Sequence, residues 1–286
     1  MGKKKRFLRQ LKIEMEKALK NKMFLITLVV GMILTFLAGL YQISAYEYVV
    51  KQELPIGSNP MVEAYSLYNK WIGGEMQSFG AICFFYLFPL LAALPYGWSC
   101  LTERKTGYNR YLMIRGGKKE YYLCKYIAVF LTGGLVILIP LVFNFLMVAM
   151  FVPAVQPDAH YTIYYAVDYG TMWSSLFYHA PLLYDILYIL LDFLFAGLFA
   201  CMSMACALIL KNKIAVMILP YFIILALHYA RTFCYYRIYQ EISPLNYLAA
   251  SSVENVTTWW IVLIEAVLFA IIPIGIIKVI GKQEIM

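Results

Sequence analysis

Residues 122–151 read YLCKYIAVFLTGGLVILIPLVFNFLMVAMF, thirty residues whose one charge, Lys125, stands near the start. A helix needs about 20 apolar residues to cross about 30 Å of hydrocarbon, so this stretch reads as a membrane span. Five further apolar runs of sufficient length lie around it, at 23–46, 79–101, 183–210, 214–234 and 258–280. The bulk composition agrees: 63% of the 286 residues are apolar, 14% are charged, and the mean hydropathy is +0.70. A soluble domain of this length needs a charged surface, whereas in lipid the outside may be as apolar as the core. The expected fold is an all-α membrane protein of six transmembrane helices, forming a single transmembrane domain over 1–286.

The basic residues orient these spans. Nine lie between Lys3 and Lys22, seven between Arg104 and Lys125, and Lys211, Lys213, Lys278 and Lys282 complete twenty of the 24. Only Lys51, Lys70, Arg231 and Arg237 fall on the other side. Lysine and arginine accumulate on cytoplasmic loops, so both termini are expected in the cytoplasm. Tyrosines, from Tyr41 through Tyr178 to Tyr239, gather at the outer ends of the spans, as an interfacial belt or as an aromatic lining for an amphipathic substrate. No signal peptide is read, because the first run follows a long charged segment.

Several activities are disfavoured. The net charge of +8 lies along one membrane face, so it implies no nucleic acid as partner. No G-x-x-x-x-G-K-[ST] phosphate loop occurs, and ATP hydrolysis by this chain itself is not expected. Cys83, Cys100, Cys124, Cys201, Cys206 and Cys234 all fall in or beside apolar runs and read as small buried hydrophobes. No catalytic, cofactor or metal set is read.

Four elements promise more than spanning. In residues 6–22, Phe7, Leu8, Leu11, Met15, Ala18 and Leu19 recur at helical spacing among Arg9, Lys12, Lys17 and Lys20, which makes a basic amphipathic helix for the inner interface. The connection 102–120 is long for its task. Gly107 and the pair Gly116–Gly117 bracket a helix predicted over 108–115, with Tyr111, Leu112 and Ile114 as its apolar part and Arg110 and Arg115 for acidic partners. Such a loop is shaped to touch a cytoplasmic protein or to lie on anionic headgroups. Asp185, Asp192, His228, Arg231 and Glu265 sit in the outer halves of spans, where ionisable groups find a partner or a wet cavity; ion pairing among spans four, five and six is the favoured reading. Segment 240–256 reads either as a surface loop or as a stretch apolar enough to re-enter the outer leaflet in part.

This order of parts resembles the ABC-2 type permease subunits, with Glu103–Arg104–Lys105–Thr106–Gly107 as the most specific stretch and Lys125 following as span three begins. In that family a Glu-x-x-x-Gly-Thr stretch leads into the helix that docks on the ATPase. Here Tyr108 stands where threonine is common, and Gly116–Gly117–Lys118 replaces a proline-containing turn. The resemblance implies a half-transporter: two permease copies, each carrying a separate ATPase subunit, with Glu103, Gly107, Arg110, Leu112 and Arg115 in the coupling region. The short chain is most similar to Gram-positive peptide and drug exporters, including those of phenol-soluble modulin-type peptides, so an amphipathic peptide or drug is the implied cargo. Two rival readings are a membrane-embedded enzyme using His160, His179, His228 and the aspartates, and a non-transporting scaffold or sensor.

Overall fold

The computed structural model describes residues 3–51, 64–167, 170–234, 240–251 and 255–283. The described residues are helical, with no strand beyond a lone bridge between Gln240 and Val256. Nine main helices follow one another: α1 Lys3–Leu19, α2 Lys22–Lys51, α3 Phe79–Ala93, α4 Ser99–Lys105, α5 Tyr108–Gly116, α6 Lys118–Ala149, α7 Pro181–Ile209, α8 Lys213–Cys234 and α9 Trp259–Gln283. Five of them, α2, α6, α7, α8 and α9, are long and apolar enough to cross a membrane. Arg237, Tyr169, Tyr235, Tyr236 and Tyr239, and the side chains of Arg115 and Cys234, lie outside the described residues.

The run 79–101 is not one helix. α3 covers only 15 residues, the chain turns over 94–98, and α4 begins at Ser99. Pro95 supplies no amide hydrogen, and its carbonyl instead accepts from the Asn21 side chain at 3.1 Å, beside the joint between α1 and α2. The start of α3 is firmly made: Ser78 accepts from the amide of Ala81, while Glu75 takes the amides of Gln77 and Ser78. Pro89, Pro140, Pro220 and Pro273 lie inside α3, α6, α8 and α9.

α7 is the most buried of the five long helices and α9 the least, which places α7 at the centre of the bundle. Lipid offers no hydrophobic drive between helices, so close approach through small residues must hold them. α6 meets α7 in this way: a Cβ on Gly133 would lie 2.4 Å from the Ala200 Cβ and 3.1 Å from the carbonyl of Ala92 on α3. Phe130 fills the groove over Gly197, and Phe193 the groove over Gly134.

Two connecting segments fold into the far end of this bundle, opposite α1. Tyr65, Trp71 and Ile72 of the first are buried, and Asn144 on α6 accepts from the amide of Ile72 at 2.8 Å while donating to the carbonyl of Thr35 at 2.7 Å. The second, residues 243–251, is buried throughout.

Candidate functional site

The amphipathic pattern of α1 contains one member of the wrong polarity. Phe7, Leu11, Glu14 and Ala18 share a stripe at helical spacing, and Glu14 is 1% exposed. Its partner is Lys125, fully buried in the first turns of α6, with Nζ 2.9 Å from Glu14 Oε2 and 2.8 Å from Glu103 Oε1 on α4. Lys125 also donates to the Tyr96 hydroxyl at 3.1 Å, and that hydroxyl donates to Glu14 Oε2 at 2.9 Å. Tyr121 donates to the second oxygen of Glu103 at 2.7 Å. Lys17 closes the set: it lies 3.1 Å from Glu14 Oε1, 3.7 Å from Glu103 Oε1 and 3.3 Å from the hydroxyl of Tyr108, the first residue of α5.

Two carboxylates and two ammoniums thus balance to zero charge, and each buried ion has more than one partner. A buried ion pair repays its desolvation only when its hydrogen bonds are complete in this way. The network joins four elements, α1, α4, α5 and α6, which the surrounding apolar packing of Ala18, Cys100, Leu101 and Val129 shields from water.

Glu14 and Lys17 also set a pH dependence. Burial alone would push the Glu14 carboxyl up, but the Lys125 and Lys17 ammoniums outweigh it and hold the group below the ordinary carboxylate range. Burial would lower Lys17, yet the Glu14 and Glu103 carboxylates and the Tyr108 hydroxyl raise it. A depressed acid contributes stability that is complete above its unfolded value, about 4.3, and lost as pH falls through its folded value. A raised lysine contributes stability that is complete below about 10.4 and lost as pH rises through its folded value. The thermal midpoint of the detergent-solubilised protein is expected to fall steeply below about pH 4. Glu14→Gln should lower the midpoint at neutral pH and flatten that acid limb; an unchanged limb would remove Glu14 from the account.

α5 stands on this base. Gly107 precedes it at φ +73° and Gly117 follows at φ +86°, a left-handed backbone at both joints that side chains oppose. Leu112 and Met113 turn inward and pack against the α1-end core, while Arg110, Tyr111 and Ile114 face outward, Ile114 at 85% exposure. Of the coupling residues read from sequence, Glu103 is in the charge network, Gly107 is the entry joint, Arg110 is exposed and Leu112 is half-buried. Sequence placed Lys17 only on the basic face of α1 and in the charge count, and it did not single out Glu14, Tyr96 or Tyr121. The acid on an apolar helix stripe was the one legible signal among them.

The five ionisable residues of the spans behave differently from the pairing expected. Among the described residues none of the five is ion-paired with another. Arg231 pairs with Glu241 at 2.9 Å, His228 Nδ1 lies 2.8 Å from the Ser243 hydroxyl and its Nε2 3.3 Å from that of Tyr86, and Glu265 accepts from Tyr247 at 2.6 Å. Asp185 accepts from the indole of Trp71 at 3.0 Å. Apart from Tyr86 on α3, the partners come from the two inserted segments rather than from other spans, because those segments bring polar groups to the helix ends that long apolar helices lack. Asp192, fully buried, has no hydrogen-bond partner among the described residues.

Five apolar helices of spanning length around a buried α7, with the other described helices packed on them, define an all-helical, multi-pass membrane protein. The chain belongs to the family described as "Protein of unknown function (DUF2705)", which matches it over residues 36–286. That match includes Glu103 and Lys125 and begins after Glu14. No curated protein and no solved structure matches the chain.

Proposed function

We propose that this chain is the permease subunit of an ATP-driven exporter, in which a separate ATPase subunit docks on α5 and drives two permease copies in a bacterial plasma membrane. The observation that carries this reading is the construction of α5. It is a short helix with an exposed apolar and basic face, pivoted on two glycines, and its first residue, Tyr108, accepts from Lys17, which ties it through Glu14 and Glu103 to Lys125 and so to α1, α4 and α6. A push on such a helix is delivered to the bundle rather than absorbed in a loop. The concentration of lysine and arginine at the α1 end supports cytoplasmic termini. Six crossings follow if α3, the turn 94–98 and α4 together make the second, since the 15 residues of α3 span only about 22 Å. The cargo on this reading is an amphipathic or hydrophobic molecule, a peptide of the phenol-soluble modulin kind or a drug.

The test is capture of the ATPase from native membrane by the tagged chain. Tyr111→Asp and Ile114→Asp, which place charge on the exposed face without touching the core, are expected to abolish capture and leave the stability within about 0.5 kcal/mol of wild type. If no nucleotide-binding protein accompanies the wild-type chain, the exporter reading fails.

A further inference from the structure

Asp185, Tyr188 and Asp192 recur three and four residues apart, on one face of α7, with the two carboxyls about 10 Å apart along the axis. Both aspartates are fully buried. Three of their four oxygens, Asp185 Oδ2 and both of Asp192, have no hydrogen-bond partner among the described residues. Among the described residues the hydroxyl of Ser251, also buried, has no partner either; it follows Ala250, whose carbonyl accepts from Tyr184, the neighbour of Asp185, at 2.6 Å. A carboxylate left this way in a low-dielectric interior is costly, and it is relieved either by a proton or by a positive partner.

The described cations nearest the far end, and the fully buried Lys125, are engaged elsewhere. Lys51 pairs with Glu47, Lys70 lies 4.8 Å over the Tyr65 ring, Arg231 pairs with Glu241, His228 sits between Tyr86 and Ser243, and Lys125 is held by Glu14 and Glu103. The walls decide what kind of cation could fill the gap. A metal ion wants six or so oxygen ligands, and among the described residues no three His, Cys, Asp or Glu groups come together to hold one. Instead the face is aromatic: Tyr184 and Tyr188 have ring centroids 4.8 Å apart, Trp173 lies 5.5 Å from Tyr188, and Trp71 donates to Asp185. Ring faces attract organic cations, whose own carbon shell needs no oxygen cage.

We propose that Asp185 and Asp192 form a binding site for a hydrophobic organic cation, walled by Trp71, Tyr184 and Tyr188. In the present closed arrangement the Trp71 N–H occupies one of the oxygens that such a cation would take. Opening requires parting Trp71 from Asp185 and Tyr184 from Ala250, so the inserted segments 64–78 and 240–251 form the door. On the export reading this site gives the cargo a positive charge, and its biological use rests on that reading. Binding by the isolated permease does not, because it is measured with no ATPase present.

The experiment is equilibrium binding of tetraphenylphosphonium to the full-length chain in lipid nanodiscs, with empty discs subtracted and tetraphenylborate as the anion of the same shape. Wild type should bind the phosphonium and reject the borate. Asp192→Asn and Asp185→Asn, each neutral and isosteric, should weaken phosphonium binding by roughly 30-fold. Equal uptake of cation and anion by wild type overturns the proposal whatever the variants do, as do unchanged affinities in both aspartate variants. Cation binding with no ATPase capture would keep this site and remove the exporter; the reverse would keep the exporter and remove the site.

Discussion

Lys125→Met should destabilise the protein by about 3–5 kcal/mol, because it strips two buried carboxylates of the cation they share. Lys125 is fully buried with Glu14 and Glu103 at 2.9 and 2.8 Å, and the methionine keeps the volume while removing the charge. Lys17, a third exposed, reaches both acids but stands 3.7 Å from Glu103 and cannot replace the lost pair in full. The loss should be seen as a lower thermal midpoint in detergent and as easier proteolytic removal of α1. Adding Glu14→Gln and Glu103→Gln to Lys125→Met should recover much of it, since the fully buried charges are then gone together and only the part-exposed Lys17 loses its partners. A single variant as stable as wild type, or a triple variant as weak as the single, would show that the network does not hold α1 to the bundle.

Gly80→Ala should cost about 3 kcal/mol, at the upper end for an inserted methyl, because the methyl would meet backbone that cannot turn away. A Cβ at Gly80 lies 2.4 Å from the carbonyl oxygen of Leu34 and 2.6 Å from the amide nitrogen of Ala38, so α3 and α2 would have to part along their length. Gly275→Ala is the internal comparison: nothing lies within 4 Å of its Cβ, and alanine there should be neutral or stabilising by about 0.5–1 kcal/mol through helix propensity. Equal behaviour of the two variants in thermal unfolding would refute the α2–α3 contact.

The long helices were legible because hydropathy over twenty residues is a local property. The runs expected at 23–46, 122–151, 183–210, 214–234 and 258–280 correspond to α2, α6, α7, α8 and α9, with ends displaced by a few residues. The short helix expected over 108–115 runs from Tyr108 to Gly116, since the glycines that bound it are local signals as well. What hydropathy could not show is the break at 94–98, where apolar residues continue through Pro95 and Gly97 while the helix stops. Nor could it show that Trp71 or Tyr247 is buried, because a short apolar segment between spans reads the same whether it lies over the membrane or within the bundle. The charge network was half visible. Lys125 and Lys17 counted toward topology by their sign, but the meeting of Lys125 with Glu14 and Glu103 joins residues 111 and 22 apart in the chain.

That spacing has a consequence for how the protein is made. Both acids precede Lys125 in the chain, and synthesis delivers them first. When the ribosome releases α6 toward the bilayer, its buried ammonium meets counter-charges already waiting on α1 and α4. The fully buried ammonium of Lys125 is therefore neutralised as it enters, and the order of translation itself does the work of a chaperone.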